Sequence, residues 1–322
     1  MSTPSPITED AGIPTSSASA VATYSPVTLP VPGRHVNLQI KVSAPVAGTD
    51  LPVILFSHGH GPSKFTSSLH GYGPLVSFWS ARGFVVIQPT HQDSTMLGLR
   101  EMDDPDAPLY ARSRAEDMRF ILDHLDDIEA TVPGLAGRMD RGRIAVVGHS
   151  MGGHTAGMLC GQQMTDPVTA EKVILRDDRI KVGVPIAPPG RGDDLANWAS
   201  ANYPVLGTTT FENMETPALV VVGENDANPR FSDRADWRSD AYLLSPEPKS
   251  RLLFFGAEHL LGGISGWDSA ETTDESPVRV AALRALVWAF LRSSLYSDDP
   301  AWTDAAAALN RMTEPLGTVE SK

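Results

Sequence analysis

Residues 143–153 read Arg-Ile-Ala-Val-Val-Gly-His-Ser-Met-Gly-Gly, in which an apolar run leads directly into a serine flanked by glycines. The segment Gly148-His149-Ser150-Met151-Gly152 matches Gly-x-Ser-x-Gly, the pattern of a sharp strand-to-helix turn that exposes a nucleophilic serine. Such a turn needs residues without side chains on both sides, because the strand and the helix approach closely there. The pattern alone is weak in a chain with 27 glycines, but the apolar run before it and the small residues Ala156 and Gly157 after it strengthen it. We therefore predict that Ser150 is a catalytic nucleophile.

The rest of the chain alternates between apolar runs and helix-like segments. Continuous apolar runs indicate parallel strands buried on both faces, whereas the alternating pattern of residues 27–42 indicates an antiparallel hairpin. The continuous runs lie at residues 53–56, 84–87, 144–147, 182–186, 218–222 and 252–255. The helix-like segments lie at roughly residues 72–82, 113–128, 151–163 and 276–295. This order predicts an α/β fold with a mostly parallel sheet of about eight strands flanked by helices.

The chain is expected to form one catalytic domain with extensions at both ends. Residues 1–22 are rich in Ser, Thr, Pro and Ala, which predicts a flexible leader. The catalytic domain would span residues 23–296, and residues 297–322 would form a tail. Within the domain, the long irregular segment 188–217 is our candidate for a cap over the site.

A catalytic serine needs a base for its proton, and that base is usually a histidine oriented by a carboxylate. Asp226 follows the predicted strand 218–222, and His259 follows the predicted strand 252–255. Both positions lie at carboxyl ends of strands, where the ligand sites of parallel sheets form. We predict Asp226 as the acid and His259 as the general base. Glu224 is the nearest rival for the acid, and either carboxylate could instead form a turn or cap a helix.

The other histidines outside the early loop are expected to be structural. His149 and His154 flank the nucleophile, where packing or hydrogen bonding is the expected role. His91 follows a predicted strand and could line the pocket. His70 and His124 lie in no motif.

The oxyanion that forms during attack on a carbonyl needs two preorganised N–H donors. One is usually the amide after the nucleophile, here Met151, and the other comes from the loop after an early strand. Residues 57–61 read Ser-His-Gly-His-Gly, and we choose the His60 amide, with Gly59 as its rival and as a residue beside the substrate. His58 and His60 have the spacing of a metal pair, but the sequence places no third ligand. We expect neither a metal nor another cofactor.

Composition argues against several classes of protein. The 39 acidic and 26 basic residues give a net charge of -13, which repels nucleic acids and anionic lipid surfaces. The apolar stretch 280–291 is interrupted by Arg284 and is too short to span a bilayer. The single Cys160 cannot form an internal disulfide. A signal peptide begins with a basic region, whereas the first basic residue here is Arg34. We expect a cytoplasmic protein without a nucleic-acid partner, and the composition does not indicate its oligomeric state.

Together these motifs resemble the α/β-hydrolase branch that contains chlorophyllases, platelet-activating-factor acetylhydrolase-like esterases and bacterial polyester hydrolases, a branch related to dienelactone hydrolases. The resemblance covers roughly residues 27–293. It is carried by Phe56-Ser57-His58-Gly59-His60-Gly61, Gly83-Phe84-Val85-Val86, residues 114–125, Gly148-His149-Ser150-Met151-Gly152-Gly153, Glu224-Asn225-Asp226 and His259. It implies an α/β-hydrolase fold and a cofactor-free serine esterase that cleaves carboxylic esters. It also implies that the family triad corresponds to Ser150, Asp226 and His259.

The chain departs from the secreted polyester hydrolases of this branch. Those enzymes normally have a signal peptide and often a disulfide, and residues 96–110 form a longer segment here. We therefore expect a small or amphipathic ester as the substrate, rather than an extracellular polymer. We assign the apolar lining to Trp198, Phe211 and Trp267, each of which could instead belong to the core. Two alternatives stay open: the same triad acting on an amide, lactone, thioester or carbon–carbon bond, and a non-catalytic ligand-binding protein on this scaffold.

Overall fold

The computed structural model describes residues 10–166, 168–266 and 269–322. The strands are β1 (Val21–Leu29), β2 (Leu38–Pro45), β3 (Leu51–Ser57), β4 (Val85–Pro89), β5 (Met139–His149), β6 (Met164–Thr165), β7 (Lys172–Val173), β8 (Ile180–Ile186), β9 (Ala218–Gly223), β10 (Lys249–Phe254) and β11 (Gly317–Ser321). The α-helices are α1 (Gly73–Ala81), α2 (Ala111–Asp123), α3 (Leu125–Thr131), α4 (Met151–Leu159), α5 (Asn197–Asn202), α6 (Asp240–Leu243), α7 (Pro277–Leu295) and α8 (Ala301–Asn310).

Nine of these strands form one sheet in the order β1-β2-β4-β3-β5-β8-β9-β10-β11. The six strands from β4 to β10 in this order run parallel to their neighbours, and antiparallel strands complete both edges. Every residue of β3, β4, β8 from Val182 onward, and β9 is buried, as expected for strands covered by helices on both faces. The parallel strands end at one edge of the sheet, which is where the candidate site forms.

Helices cover both faces of the sheet. In β3, Ile54 and Phe56 pack in a core with α1, α7 and α8, whereas Val53 and Leu55 pack in a second core with α2, α3 and α4. This alternation follows from the two-residue period of a strand. The sheet flanked by helices confirms the predicted fold class.

The observed sheet has one strand, β11, more than the eight predicted from the sequence. The predicted hairpin and the six predicted continuous runs overlap eight strands of the sheet, and β11 is the ninth. β11 reads Gly-Thr-Val-Glu-Ser, and this short, mostly polar sequence gives no apolar run to recognise. It pairs with β10 from Phe254↔Gly317 to Ser250↔Ser321 and covers that strand's free edge.

Described segments near both ends of the sequence contact the folded domain. Ile13, within the segment predicted as a flexible leader, is 1% exposed and packs against the core of α1 and α7. This apolar side chain anchors a segment that consists mostly of small and polar residues. The predicted tail contains α8 and β11, both packed on the domain. The division of the chain at residues 22 and 297 stays a prediction.

The candidate cap, residues 188–217, connects β8 to β9. It contains α5 and two short 3-10 helices, Gly192–Asp194 and Pro204–Thr208. Arg234, which follows β9, lies 2.5 Å from Asp194 of this segment and 2.9 Å from Asp240. The pair with Asp194 holds the segment against the loop that follows β9, and the pair with Asp240 fixes Arg234 within that loop.

Candidate active site

Ser150 lies in the tight turn between β5 and α4, in a backbone conformation that residues with a side chain rarely adopt. Its φ of 56° and ψ of -119° fall outside the favoured regions for a residue with a side chain. A Cβ atom added at Gly148 would lie 2.0 Å from the Gly152 carbonyl oxygen, and one added at Gly152 would lie 1.9 Å from the Ser57 carbonyl oxygen. The two glycines of the pattern are therefore required by the approach of neighbouring backbone.

The three residues predicted to act together are in hydrogen-bond contact. His259 Nε2 lies 3.0 Å from Ser150 Oγ, and His259 Nδ1 lies 2.8 Å from Asp226 Oδ2. An ionised carboxylate only accepts hydrogen bonds, so His259 donates its Nδ1–H to Asp226. Nε2 is then left to accept the proton of the serine hydroxyl, which is the geometry of a nucleophile–base–acid triad.

Arg238 is a partner of the triad that the sequence did not reveal. Its Nε lies 2.7 Å from Asp226 Oδ1, and its Nη1 donates to the Ala187 carbonyl at 3.0 Å. Burial alone would raise the pKa of Asp226, but the charges of Arg238 and His259 outweigh burial and hold that pKa below its ordinary value. Asp226 therefore stays ionised at neutral pH.

Asp274 holds the loop that carries His259. It accepts hydrogen bonds from the Glu258 amide at 2.9 Å and the Gly262 amide at 3.2 Å, on either side of the histidine. Arg279 of α7 donates to the same carboxylate at 2.7 Å. His259 is thus held in place through its backbone neighbours. Asp274 and Arg279 lie in no motif, so no feature of the sequence pointed to them.

The two amides predicted for the oxyanion hole are both free to donate. Met151 is the first residue of α4, so its N–H has no partner within the helix. Across the described ranges, the His60 amide is hydrogen-bonded to no protein group. The Gly59 amide, its rival, already donates to Tyr72 Oη at 3.0 Å. A Cβ atom at Gly59 would lie 3.3 Å from Ser150 Cβ, which places this loop beside the nucleophile.

Buried charges fix the loop of residues 57–61 in place. Arg114 donates to the His58 carbonyl oxygen and pairs with Asp93, and neither charged side chain is exposed. Asp93 in turn lies 2.8 Å from His60 Nδ1. Burial raises the pKa of Asp93, but the Arg114 guanidinium outweighs it, and the pKa lies well below its ordinary value. Arg100 completes the arrangement by donating to the Gly61 carbonyl at 2.7 Å.

The three aromatic residues predicted to line the pocket lie in different environments. Trp198 is 42% exposed on α5 and packs edge-on against Tyr203, with ring centroids 5.7 Å apart. Phe211 is 1% exposed and belongs to the second core, on the face of the sheet covered by α2, α3 and α4, which argues against its assignment to the pocket. Composition could not distinguish it from an exposed cap aromatic. Trp267 lies outside the described residues.

Two aromatic residues that we did not assign to the lining lie nearer the site. The Tyr203 ring lies 6.0 Å from the His60 ring and 6.0 Å from the parallel ring of Phe231. Both Tyr203 and Phe231 are partly exposed. They form an aromatic wall between the loop of residues 57–61, which we call the oxyanion loop after its predicted role, and the loop that carries Asp226. Tyr203 also lines a largely apolar cavity of about 160 Å³, together with Leu109 and Val205.

The described residues include no group of three or more His, Cys, Asp and Glu side chains arranged to hold a metal ion. His58 Nδ1 lies 2.9 Å from the Gly59 carbonyl oxygen, whereas His60 Nδ1 contacts Asp93, so the two rings have different partners. Within the described ranges, no helix combines the length and apolar character that crossing a bilayer requires.

Comparison with known proteins adds a family to this geometry. A family model described as "Alpha/beta hydrolase family" matches residues 54–320, most of the chain. The match includes all three residues of the hydrogen-bonded triad. A search of curated proteins finds no matching relative.

Proposed function

Because the chain belongs to the alpha/beta hydrolase family, we propose that it hydrolyses carboxylic esters through an acyl-enzyme on Ser150. Family membership supports hydrolase activity. The observation that carries the proposal is the contact series Asp226–His259–Ser150, with distances of 2.8 and 3.0 Å. A binding protein on this scaffold would not need a complete triad with two free amides beside it.

The geometry supports a two-stage reaction. Ser150 Oγ attacks the ester carbonyl carbon while its proton passes to His259 Nε2, and the Met151 and His60 amides donate to the oxyanion. The tetrahedral intermediate collapses, the carbon–oxygen bond to the alcohol breaks, and the leaving oxygen takes the proton from His259. A water molecule then gives a proton to His259 and attacks the acyl carbon, the bond from that carbon to Ser150 Oγ breaks, and Oγ takes the proton back from His259 as the acid leaves.

The surroundings favour a small or amphipathic ester. The aromatic wall of Tyr203 and Phe231 provides apolar contact beside the oxyanion loop, which suits an ester with an apolar acyl or alcohol group. The net charge of -13 disfavours strongly anionic substrates.

The first test compares wild type with Ser150→Ala on chromogenic esters from acetate to long acyl chains. We expect the variant to lose at least on the order of a thousandfold in kcat while remaining folded, because the nucleophile is gone. Ser245→Ala is the matched control, since Ser245 is buried and donates only to the Ala241 carbonyl. Full activity in Ser150→Ala would exclude the proposal. Thioesters and anilides in the same panel identify the bond cleaved if esters are not turned over.

A further inference from the structure

Tyr72 and His149 are two buried polar residues that the triad does not use. Tyr72, directly before α1, is 0% exposed and packs its ring on Phe56 with centroids 4.8 Å apart. His149, directly before the nucleophile, is 2% exposed. Because neither side chain reaches solvent, neither can touch a substrate.

Hydrogen bonds connect the two residues to separate catalytic loops. The Gly59 amide donates to Tyr72 Oη at 3.0 Å, and Tyr72 Oη lies 2.9 Å from His149 Nδ1. On the other side of the ring, His149 Nε2 lies 2.9 Å from the carbonyl oxygen of His259. The chain of contacts thus runs from the oxyanion loop, through the nucleophile turn, to the backbone of the base.

Only one assignment of protons satisfies every contact. A carbonyl oxygen can only accept, so His149 Nε2 carries the proton and donates to His259. Burial, with a smaller contribution from the neighbouring His259, lowers the pKa of His149 to about 3, so its ring is neutral and Nδ1 is an acceptor. Tyr72 then donates its hydroxyl proton to Nδ1 and accepts from Gly59. Every polar atom in the series is paired in one direction.

We propose that Tyr72 and His149 are positioning residues that set the oxyanion loop and the general base relative to Ser150. On the oxyanion side, the bond to Tyr72 turns the Gly59 amide away from the substrate and leaves the His60 amide to donate. On the base side, the bond from His149 holds the backbone of His259, whose Nε2 lies 3.0 Å from Ser150 Oγ. The inference rests on the proposed function, because positioning matters only if Ser150 is the nucleophile.

The alternative is that Tyr72 only fills space. Tyr72→Phe separates the two roles, because it keeps the ring on Phe56 and removes only the oxygen. Tyr110→Phe is the matched control, since Tyr110 is also 0% exposed and donates to a backbone carbonyl, that of Leu99, at 2.9 Å. Each variant loses one buried hydroxyl, but Tyr72→Phe loses two hydrogen bonds and Tyr110→Phe one, so the melting temperature of Tyr72→Phe should fall at least as far as that of Tyr110→Phe.

Steady-state kinetics on an ester that wild type hydrolyses distinguish positioning from packing. We expect Tyr72→Phe to lower kcat by roughly tenfold to a hundredfold with KM within about twofold, because a misplaced oxyanion donor or base slows chemistry more than binding. Tyr110→Phe should leave both constants within about twofold. A kcat for Tyr72→Phe near that of wild type, or an equal loss in both variants, would overturn the proposal.

A second pair of variants tests the base side and serves if Tyr72→Phe does not fold. His149→Gln keeps an amide donor for the His259 carbonyl, whereas His149→Leu has none. We expect His149→Gln to retain at least about tenfold more kcat than His149→Leu, and equal kcat values would refute positioning through His149. Ser150→Ala is measured in the same series. If turnover does not depend on Ser150, the proposed function fails and the positioning role with it; if only the Tyr72 and His149 effects are missing, the positioning role fails alone.

Discussion

At the scale of single residues, Arg238 decides whether the acid of the triad stays ionised. Its Nε lies 2.7 Å from Asp226 Oδ1, and both side chains are buried. Without this guanidinium, burial would raise the pKa of Asp226, so we expect Arg238→Met to raise that pKa. A protonated Asp226 would no longer stabilise the imidazolium of His259 that forms during the reaction. We expect kcat/KM to fall about tenfold or more, since an adjacent opposite charge shifts the pKa of a carboxyl group by about 1–3 units and each unit corresponds to about 1.4 kcal/mol. Because the positive charge of Arg238 opposes proton uptake by the neighbouring Asp226–His259 pair, its loss lets the pair take up a proton at higher pH, and the acid side of the pH profile should move to higher pH.

The measurement is kcat/KM from about pH 5 to 9 for wild type and the variant. Arg251→Met provides the control, because Arg251 pairs with Glu320 at 2.9 Å and does not contact the triad. A profile of Arg238→Met that superposes on that of wild type would show that Asp226 does not depend on this pair.

The sequence identified some of these residues and not others for a physical reason. Ser150 has a local signature because the turn itself restricts its neighbours, and Asp226 and His259 follow recognisable strands. Arg238 and Tyr72 reach the site only through tertiary contacts, and nothing near them in the chain reports that. The same limit explains Phe211, whose apolar ring suits a core and a pocket equally well.

At the scale of elements, β11 shows how a strand can matter without a sequence pattern. A Cβ atom at Gly317 would lie 2.1 Å from the Leu253 carbonyl oxygen, a backbone atom of the strand that leads to His259. Gly317→Ala should therefore displace β11 and lower the melting temperature by several degrees, as expected for a loss of about 2 kcal/mol in a domain of this size. Gly207→Ala is the matched control, since its Cβ would lie 3.9 Å from Leu195 Cδ2, an ordinary contact.

Thermal unfolding of the two alanine variants measures this directly. Equal melting temperatures would mean that β11 adds nothing to the sheet. Eight strands could be predicted because their sequences show either a continuous apolar run or an alternating apolar pattern. β11 is instead held by backbone pairing and by contacts such as Arg251–Glu320. Backbone pairing at a sheet edge is nearly independent of side-chain type, so the sequence could not indicate it.

At the scale of the whole molecule, the buried histidines make stability depend on pH. Burial lowers the pKa of four histidines below the ordinary value, to about 3 for both His149 and His154 and well below it for His58 and His91. Between the folded and unfolded values, the unfolded chain binds protons that the folded chain excludes, so stability falls as pH drops below about 6.5. Burial also raises the pKa of Asp106 and Asp117 to about 6, which opposes this trend because the folded chain binds those protons first.

Four histidines outweigh two carboxylates, so we expect the free energy of unfolding to be lower by roughly 3 kcal/mol or more at pH 5.5 than at pH 7.5. Urea unfolding at the two pH values measures it. His154→Leu isolates one contributor, because the ring of His154 has a single hydrogen-bond partner among the described residues. That partner is Thr209 Oγ1, 3.3 Å from Nε2, and the buried Nδ1 is unpaired. That variant should lose about 1.4 kcal/mol less than wild type over the same interval. If both proteins lose the same amount, His154 takes up no proton on unfolding, and the acid sensitivity must come from other groups.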